Sequence, residues 1–126
     1  MDREQQVRRL WDSLARGDLS VMQAALCPHA RWRAVQDGPW NCEDRAAIIE
    51  VMGRNLKQGL AGRIEEVIEV GERTVVAFRP ESHGPDAWPL EDGIRHLVLT
   101  YEGELISEMK GCLNRASALE YASSGG

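Results

Sequence analysis

The sequence predicts a single α+β domain in which three helices precede a mostly antiparallel sheet. In the first half of the chain the apolar residues recur with the period of a helix, and from residue 63 onward they alternate with the period of a strand. The length of 126 residues suits one domain whose core is large enough to be stable without disulfides or a structural metal. Helices gathered before strands are typical of helices that pack on one face of an antiparallel sheet.

The first two helices are predicted from apolar spacing and from their ends. The first spans residues 3–16, and a second, short helix runs from an N-cap at Asp18 to about Leu26, where Pro28 stops it. The apolar face of the first helix, repeating at helical spacing, consists of Val7, Leu10, Trp11 and Leu14.

A strand and a third helix follow. Residues 30–36 alternate as a strand, with Trp32 and Arg33 on opposite faces. Asn41 is a suitable N-cap for a helix that runs to about Gln58. Its apolar stripe consists of Ile48, Ile49, Met52 and Leu56.

Two hairpins complete the predicted domain. Their turns are Gly71-Glu72 and Glu102-Gly103. The four strands span residues 63–70, 73–79, 93–101 and 104–113. We expect residues 1–122 to form one domain and residues 123–126 to be a flexible tail.

Composition excludes several classes of function. The net charge of −5 and the scattered basic residues argue against nucleic acid as a partner. No apolar run is long enough to cross a membrane, and the first residues lack an apolar signal core, so we expect a cytoplasmic protein. The three cysteines are expected to be reduced. Neither a metal spacing nor a glycine-rich phosphate loop occurs, so no metal and no cofactor is expected.

Several segments, in order, resemble one known superfamily. They are residues 14–19 (a helix–"GDL"–helix junction), 26–32 (a strand entry), 99–106 (a "DGKI"-like hairpin) and 114–116. Together they resemble the nuclear-transport-factor-2-like superfamily, which includes SnoaL-type polyketide cyclases, ketosteroid isomerase and limonene epoxide hydrolase. The resemblance covers nearly the whole chain. It implies a cystatin-like cone, with the three helices in the concave face of a curved sheet, an internal pocket, and often a homodimer built on the outer sheet face.

The catalytic positions of these relatives carry unsuitable residues here. When the sequence is aligned with ketosteroid isomerase, the catalytic tyrosine of that enzyme corresponds to Leu10. Its general base corresponds to a position near Ala34, and its oxyanion-hole acid corresponds to Arg95. The acid of the cyclases and the hydrolase falls at or near Gly111. Alternation places Glu108 and Lys110 on the opposite face, unless the register slips by one residue. The residues predicted to face the pocket from the last strand are Ser107, Met109, Gly111 and Leu113.

Tryptophans and one arginine are the remaining site candidates. Trp11, Trp32 and Trp40 either form an aromatic pocket wall or belong to an ordinary core. Arg95 either binds a ligand carboxylate or enolate oxygen, or pairs with Asp37, Glu43 or a loop carboxylate. His29 is a candidate base near the pocket mouth, or else is hydrogen-bonded locally. The proposed ligand-binding set is Trp11, Trp32, Trp40, Met52, Arg95 and Met109.

Three hypotheses for function follow, and whether the protein is an enzyme stays open. The first is a binding protein for a small apolar or aromatic ligand, with or without a carboxylate, anchored by Arg95. The second is a SnoaL-like isomerase, cyclase or dehydratase with His29 or Glu108 as base. The third is a non-catalytic dimerisation module with a filled core.

Overall fold

The structure, a computed structural model, describes residues 2–34, 41–56, 62–79 and 94–124, apart from the side chains of residues 55 and 56. In chain order these residues form α1 (Arg3–Ala15), α2 (Ser20–Ala25), β1 (Leu26–Arg33), α3 (Arg45–Leu56), β2 (Arg63–Val70), β3 (Arg73–Arg79), β4 (Arg95–Glu102), β5 (Leu105–Cys112) and α4 (Arg115–Ser123). None of the helices in these ranges is both long enough and apolar enough to cross a membrane.

The strands form one curved sheet in the order β1-β5-β4-β3-β2. Its pairs are antiparallel except β1 with β5, which is parallel. The predicted α+β class is therefore confirmed, and β2 and β3 have the predicted bounds. The second hairpin turns at Gly103-Glu104, one residue later than predicted, because Gly103 adopts the left-handed conformation (φ 66°) that the turn requires.

Two irregularities bend the sheet at the same place. Ser107 is an extra residue in β5 at the pairing with β4, and the register of β1 against β5 shifts between Leu26 and Arg31. Such bulges bend a strand and increase its twist. Strict alternation therefore fails across Ser107, and the prediction that it faces inward with Met109 is wrong. Ile106 joins Met109 in the core instead.

The main core lies between α1–α3 and one face of the sheet, which we call the inner face. The predicted apolar face of α1 is buried there together with Met22 of α2 and Ile48 of α3. The sheet contributes a second set of buried side chains, namely Val76, Phe78, Leu97, Leu99, Tyr101, Ile106 and Met109. The helices therefore cover the inner face, as predicted.

A fourth helix, α4, was not predicted and packs on the opposite, outer face. It begins with a capping box: Asn114 Oδ1 accepts from Ser117 N at 2.9 Å, and Ser117 Oγ accepts from Asn114 N at 3.1 Å. The residues in this second core are Val75, Val98, Cys112, Ala118 and Ala122. The last residue of α4 is Ser123, so the first residue of the predicted tail is helical, and residues 125–126 lie outside the described ranges.

The start of β1 and of α2 differ from the prediction. The strand begins at Leu26, four residues early, and contains Pro28 rather than following it. The sheet tolerates this proline because β1 is an edge strand and Pro28 lies where its register against β5 shifts. The helix α2 begins at Ser20, so Asp18 is not its N-cap residue. The Asp18 carboxylate still accepts a hydrogen bond from Ser20 N at 2.9 Å.

The start of α3 also differs. The helix begins at Arg45, where Asp44 Oδ1 accepts from Ala47 N at 2.9 Å, a first-turn bond that the prediction gave to Asn41. The Asn41 side chain accepts instead from Ala34 N at 2.9 Å. Residues 35–36 of the predicted strand, 57–58 of the predicted helix and 93 of the predicted β4 lie outside the described residues.

Candidate ligand site

Arg95, which aligns with the oxyanion-hole acid of ketosteroid isomerase, lies on the inner face. It begins β4 opposite Phe78, its neighbours on the same face are Leu97 and Leu99, and it is only 4% exposed. A guanidinium in apolar surroundings costs free energy unless its donors are bonded. Of the partners considered from sequence, Glu43 accepts from Arg33 Nη1 at 2.9 Å, and Asp37 lies outside the described residues.

Trp11 packs against Phe78, the strand neighbour of this arginine. Its ring meets Phe78 edge-on, with centroids 5.2 Å apart and planes at 61°. Trp11 is only 5% exposed, so it serves as core for α1 as well as forming part of this aromatic pair.

The other predicted ligand-binding residues divide by burial. Met109 is fully buried and stands between Leu99 of β4 and Trp32 of β1. Trp32 is half-buried, and its backbone forms two 2.9 Å hydrogen bonds with Cys42, which fasten the segment before α3 to β1. Met52 is half-buried against the main core. Trp40 lies outside the described residues.

Glu108 faces away from this site. It stands opposite Thr100 on the outer face, where its carboxylate accepts from the Tyr121 hydroxyl of α4. Lys110, on the same face, donates to the Ala34 carbonyl at 2.9 Å. Both side chains lie on the predicted face, so the one-residue slip that would turn Glu108 inward does not occur.

The catalytic positions of the relatives hold no acid or base in this structure either. Leu10 is buried in the main core, and Gly111 is buried opposite Leu97 on the inner face. Within the described strands β4 and β5, no inner-face position carries a carboxylate. A proton-abstracting base for a ligand at Arg95 would therefore have to come from elsewhere.

His29 lies at the far end of the sheet from Arg95. Its side chain is 70% exposed, and its Nε2 atom is 3.4 Å from Glu102 Oε2. Glu102 ends β4, whereas Arg95 begins it, and a strand of this length spans roughly 20 Å. His29 is therefore out of hydrogen-bonding reach of a small ligand bound by Arg95.

The cysteines are free, as expected, and all three are buried. Burial raises the pKa of the Cys27 thiol, and the nearby Glu102 carboxylate raises it further. Burial likewise raises the pKa values of Cys42 and Cys112. Since the thiolate is the nucleophile, none of these thiols is activated for nucleophilic catalysis.

Tyr101 is an inner-face polar residue that the sequence analysis missed. It is buried, Arg3 lies over its ring at 3.6 Å, and its hydroxyl has no hydrogen-bond partner among the described residues. Burial raises the pKa of this hydroxyl, so it stays a neutral donor. Alternation from Arg95 along β4 would have found it, but Tyr101 lies near the opposite end of that strand.

On the outer face, Arg73 fastens α4 to the first hairpin. Its Nη1 donates to the Tyr121 carbonyl at 2.6 Å, its Nε donates to Thr100 Oγ1 at 3.1 Å, and its guanidinium lies 4.7 Å from the centre of the Tyr121 ring. Beside it, between the β2–β3 turn and the end of α4, is an open cleft of ≈ 460 Å³. This cleft is on the outer face and is separate from the predicted inner site.

The Tyr121 hydroxyl predicts a stability change at high pH. Burial, and then the Glu108 carboxylate, raise its pKa from 10.0 to about 12. Because the folded pKa is above the unfolded value, this contribution is fully present below pH 10 and is lost as the pH rises towards 12. We expect urea unfolding to show a smaller loss of stability across this window for Tyr121→Phe than for the wild type. Equal losses in the two proteins would contradict the assignment.

Comparisons with known proteins identify the fold. No family profile and no curated protein matches the sequence. Solved structures do match: a cystatin-fold protein from Novosphingobium aromaticivorans has a TM-score of 0.70 at 14% identity, covering 88% of this chain and 97% of that one. An NTF2-like protein of unknown function from Cytophaga hutchinsonii has a TM-score of 0.68 at 8% identity, covering 90% and 91%.

A third structure carries a suggested activity. It is a protein from Sinorhizobium meliloti that is provisionally described as a polyketide cyclase, with a TM-score of 0.69 at 14% identity, covering 85% of this chain and 93% of that one. Identities this low establish the fold and leave the activity open. The resemblance seen in the sequence is thus confirmed at the level of structure: the chain has the curved-sheet cone fold shared by NTF2-like and cystatin-like proteins.

Proposed function

We propose that this protein binds a small aromatic or apolar carboxylic acid on the inner face of its sheet, with Arg95 as the polar anchor. The observation that carries the proposal is the position of Arg95, buried on the inner face next to the Phe78–Trp11 pair. A flat aromatic acid could pack its ring against these aromatic side chains while its carboxylate accepts hydrogen bonds from the guanidinium.

The chemistry of arginine favours a carboxylate in particular. The guanidinium has five N–H donors in a planar fork, so a protein partner can occupy some of them and leave others for a ligand. A carboxylate accepts two parallel bonds from such a fork, and charge-assisted bonds are about twice as strong as neutral ones. Trp32 and Met52 are half-buried beside the main core, so their side chains keep some freedom to adapt to a ligand.

The enzyme hypothesis has less support. A SnoaL-like isomerase, cyclase or dehydratase would need a base beside the ligand, and the two candidates lie elsewhere: Glu108 contacts α4 on the outer face, and His29 contacts Glu102 at the far end of β4. We therefore favour binding without catalysis.

The remaining expectations concern partners and compartment. A homodimer through the outer face, the arrangement that the resemblance implies, would compete with α4, which packs on that face in this chain. We place any self-association on another surface. Three free, buried thiols suit a reducing compartment, which supports our proposal of a cytoplasmic location.

The test compares an acid with its uncharged analogue. 2-Naphthoate is expected to raise the melting temperature and change the tryptophan fluorescence, whereas 2-naphthamide should bind at least about tenfold more weakly, since a bond to a charged group contributes roughly 1.5–3 kcal/mol. Arg95→Met should abolish the preference, and Arg95→Lys, which keeps the charge but loses the fork, should retain part of it.

Controls separate binding from folding. Arg79→Met removes an arginine from β3 whose side chain is half exposed and pairs with Glu65, and it should bind naphthoate like the wild type. Circular dichroism checks that each variant is folded. Equal affinity for acid and amide in the wild type, or unchanged affinity in a folded Arg95→Met, would refute the proposal.

A further inference from the structure

Three potential metal ligands meet at the end of the sheet away from Arg95. They are the Cys27 thiol, the His29 imidazole and the Glu102 carboxylate, and their ligand atoms all lie within 4.8 Å of one another. Sequence spacing gave no metal motif, because Glu102 is more than seventy residues from the other two and only the sheet brings it close.

We propose that Cys27, His29 and Glu102 form a zinc site with three protein ligands. This donor set fits zinc: thiolate, imidazole and carboxylate are all ligands of Zn²⁺, whereas Mg²⁺ and Ca²⁺ prefer oxygen alone. Three protein ligands and an open fourth position is the arrangement in which zinc also binds water or an anion.

The distances are close to those that tetrahedral zinc requires. With zinc bonds of about 2.0–2.3 Å, neighbouring donor atoms lie roughly 3.4–3.6 Å apart. His29 Nε2 and Glu102 Oε2 are already 3.4 Å apart, a length that is long for a strong hydrogen bond but right for two ligands of one ion. Since all three atoms lie within 4.8 Å, closing the site needs little more than an ångström of side-chain movement.

The local backbone presents the first two ligands together. Cys27 and His29 flank Pro28 in the part of β1 where the register against β5 shifts. The fixed φ of proline limits the conformations of this tripeptide and so limits the entropy lost on binding a metal.

The environment leaves one side of the site open. The side chains of His29 and Glu102 are 70% and 67% exposed, while Cys27 is buried at the base of the group. An ion bound here would have a protein ligand beneath it and solvent above it. The exposed side is where a water molecule or an anionic ligand would complete the coordination.

The test measures zinc and cobalt binding by the intact chain. Titration with zinc chloride against a colorimetric chelator is expected to give one tight site per chain. Cobalt chloride should produce the charge-transfer absorption of a thiolate ligand. Cys27→Ser should remove that absorption, and His29→Ala and Glu102→Gln should each weaken zinc binding at least about tenfold, the scale seen when even an outer-shell partner is removed.

Matched controls come from the same chain. Cys112→Ser removes another buried free thiol, and Glu104→Gln removes an exposed carboxylate of the neighbouring turn; both should bind zinc like the wild type. Because His29 and Glu102 are exposed, their variants remain informative if Cys27→Ser does not fold. No stoichiometric zinc binding, or wild-type affinity in folded His29→Ala and Glu102→Gln, would overturn the proposal.

Discussion

Truncation of Met109 to alanine is expected to lower the free energy of unfolding by about 2–5 kcal/mol, the range for large-to-small changes in a core. Met109 is fully buried on the inner face and lies between Leu99 and Trp32. A loss of this size is a large part of the roughly 5–15 kcal/mol that holds a domain folded. Urea denaturation followed by tryptophan fluorescence measures it.

The comparison with Met52 makes this result informative about the ligand site. Met52→Ala removes the same side chain from a half-buried position on α3, where alanine also favours the helix, and should cost clearly less. If Met109→Ala instead cost less than about 1 kcal/mol, Met109 would border open space on the inner face.

Replacement of Ala118 by aspartate should cost at least about 3 kcal/mol, because it buries a charge without a partner. Ala118 is fully buried between α4 and the outer face, next to Val75 and Val98. We expect α4 to detach and the exposed apolar surface to promote self-association. Hydrogen exchange over residues 115–123 reports the first effect, and light scattering the second.

Ala116 provides the matched control. It is exposed on the first turn of the same helix, where a carboxylate also interacts favourably with the helix dipole. Ala116→Asp should therefore leave the free energy of unfolding unchanged, and light scattering should show the same association state as for the wild type. Hydrogen exchange over α4 could instead be as slow in Ala118→Asp as in the wild type. That result would mean that the stability of this helix does not depend on its contact with the sheet.

Local patterns predicted the parts of the fold that local chemistry determines. The hairpin at Gly71-Glu72 has the predicted strand bounds, because its turn and its alternation lie within a few residues of each other. The helix α4 was missed because Ala118 and Ala122 are small and give little helical pattern. Its partner surface on the sheet, which stabilises it, is formed by strands that are distant in sequence.

The site was predictable where alternation holds and not where contacts are long-range. Glu108 lies on the face that strand alternation assigns, and Arg95, which was singled out through the resemblance, lies on the inner face. The extra residue at Ser107 interrupts that alternation, and no spacing in the sequence signals it. The contact between His29 and Glu102 depends on the order of strands in the sheet, so single-sequence reasoning offered only the pocket mouth or a local hydrogen bond for His29.

The position of α4 has a consequence for synthesis of the chain. Arg73, Thr100 and Glu108 must be brought together by strand pairing before they can hold Tyr121, and α4 follows all five strands in the sequence. On the ribosome, the outer face of the sheet therefore stays uncovered until α4 has emerged. A nascent chain at this stage presents apolar surface on the side that the finished protein covers, which is the interval in which a chaperone would bind it.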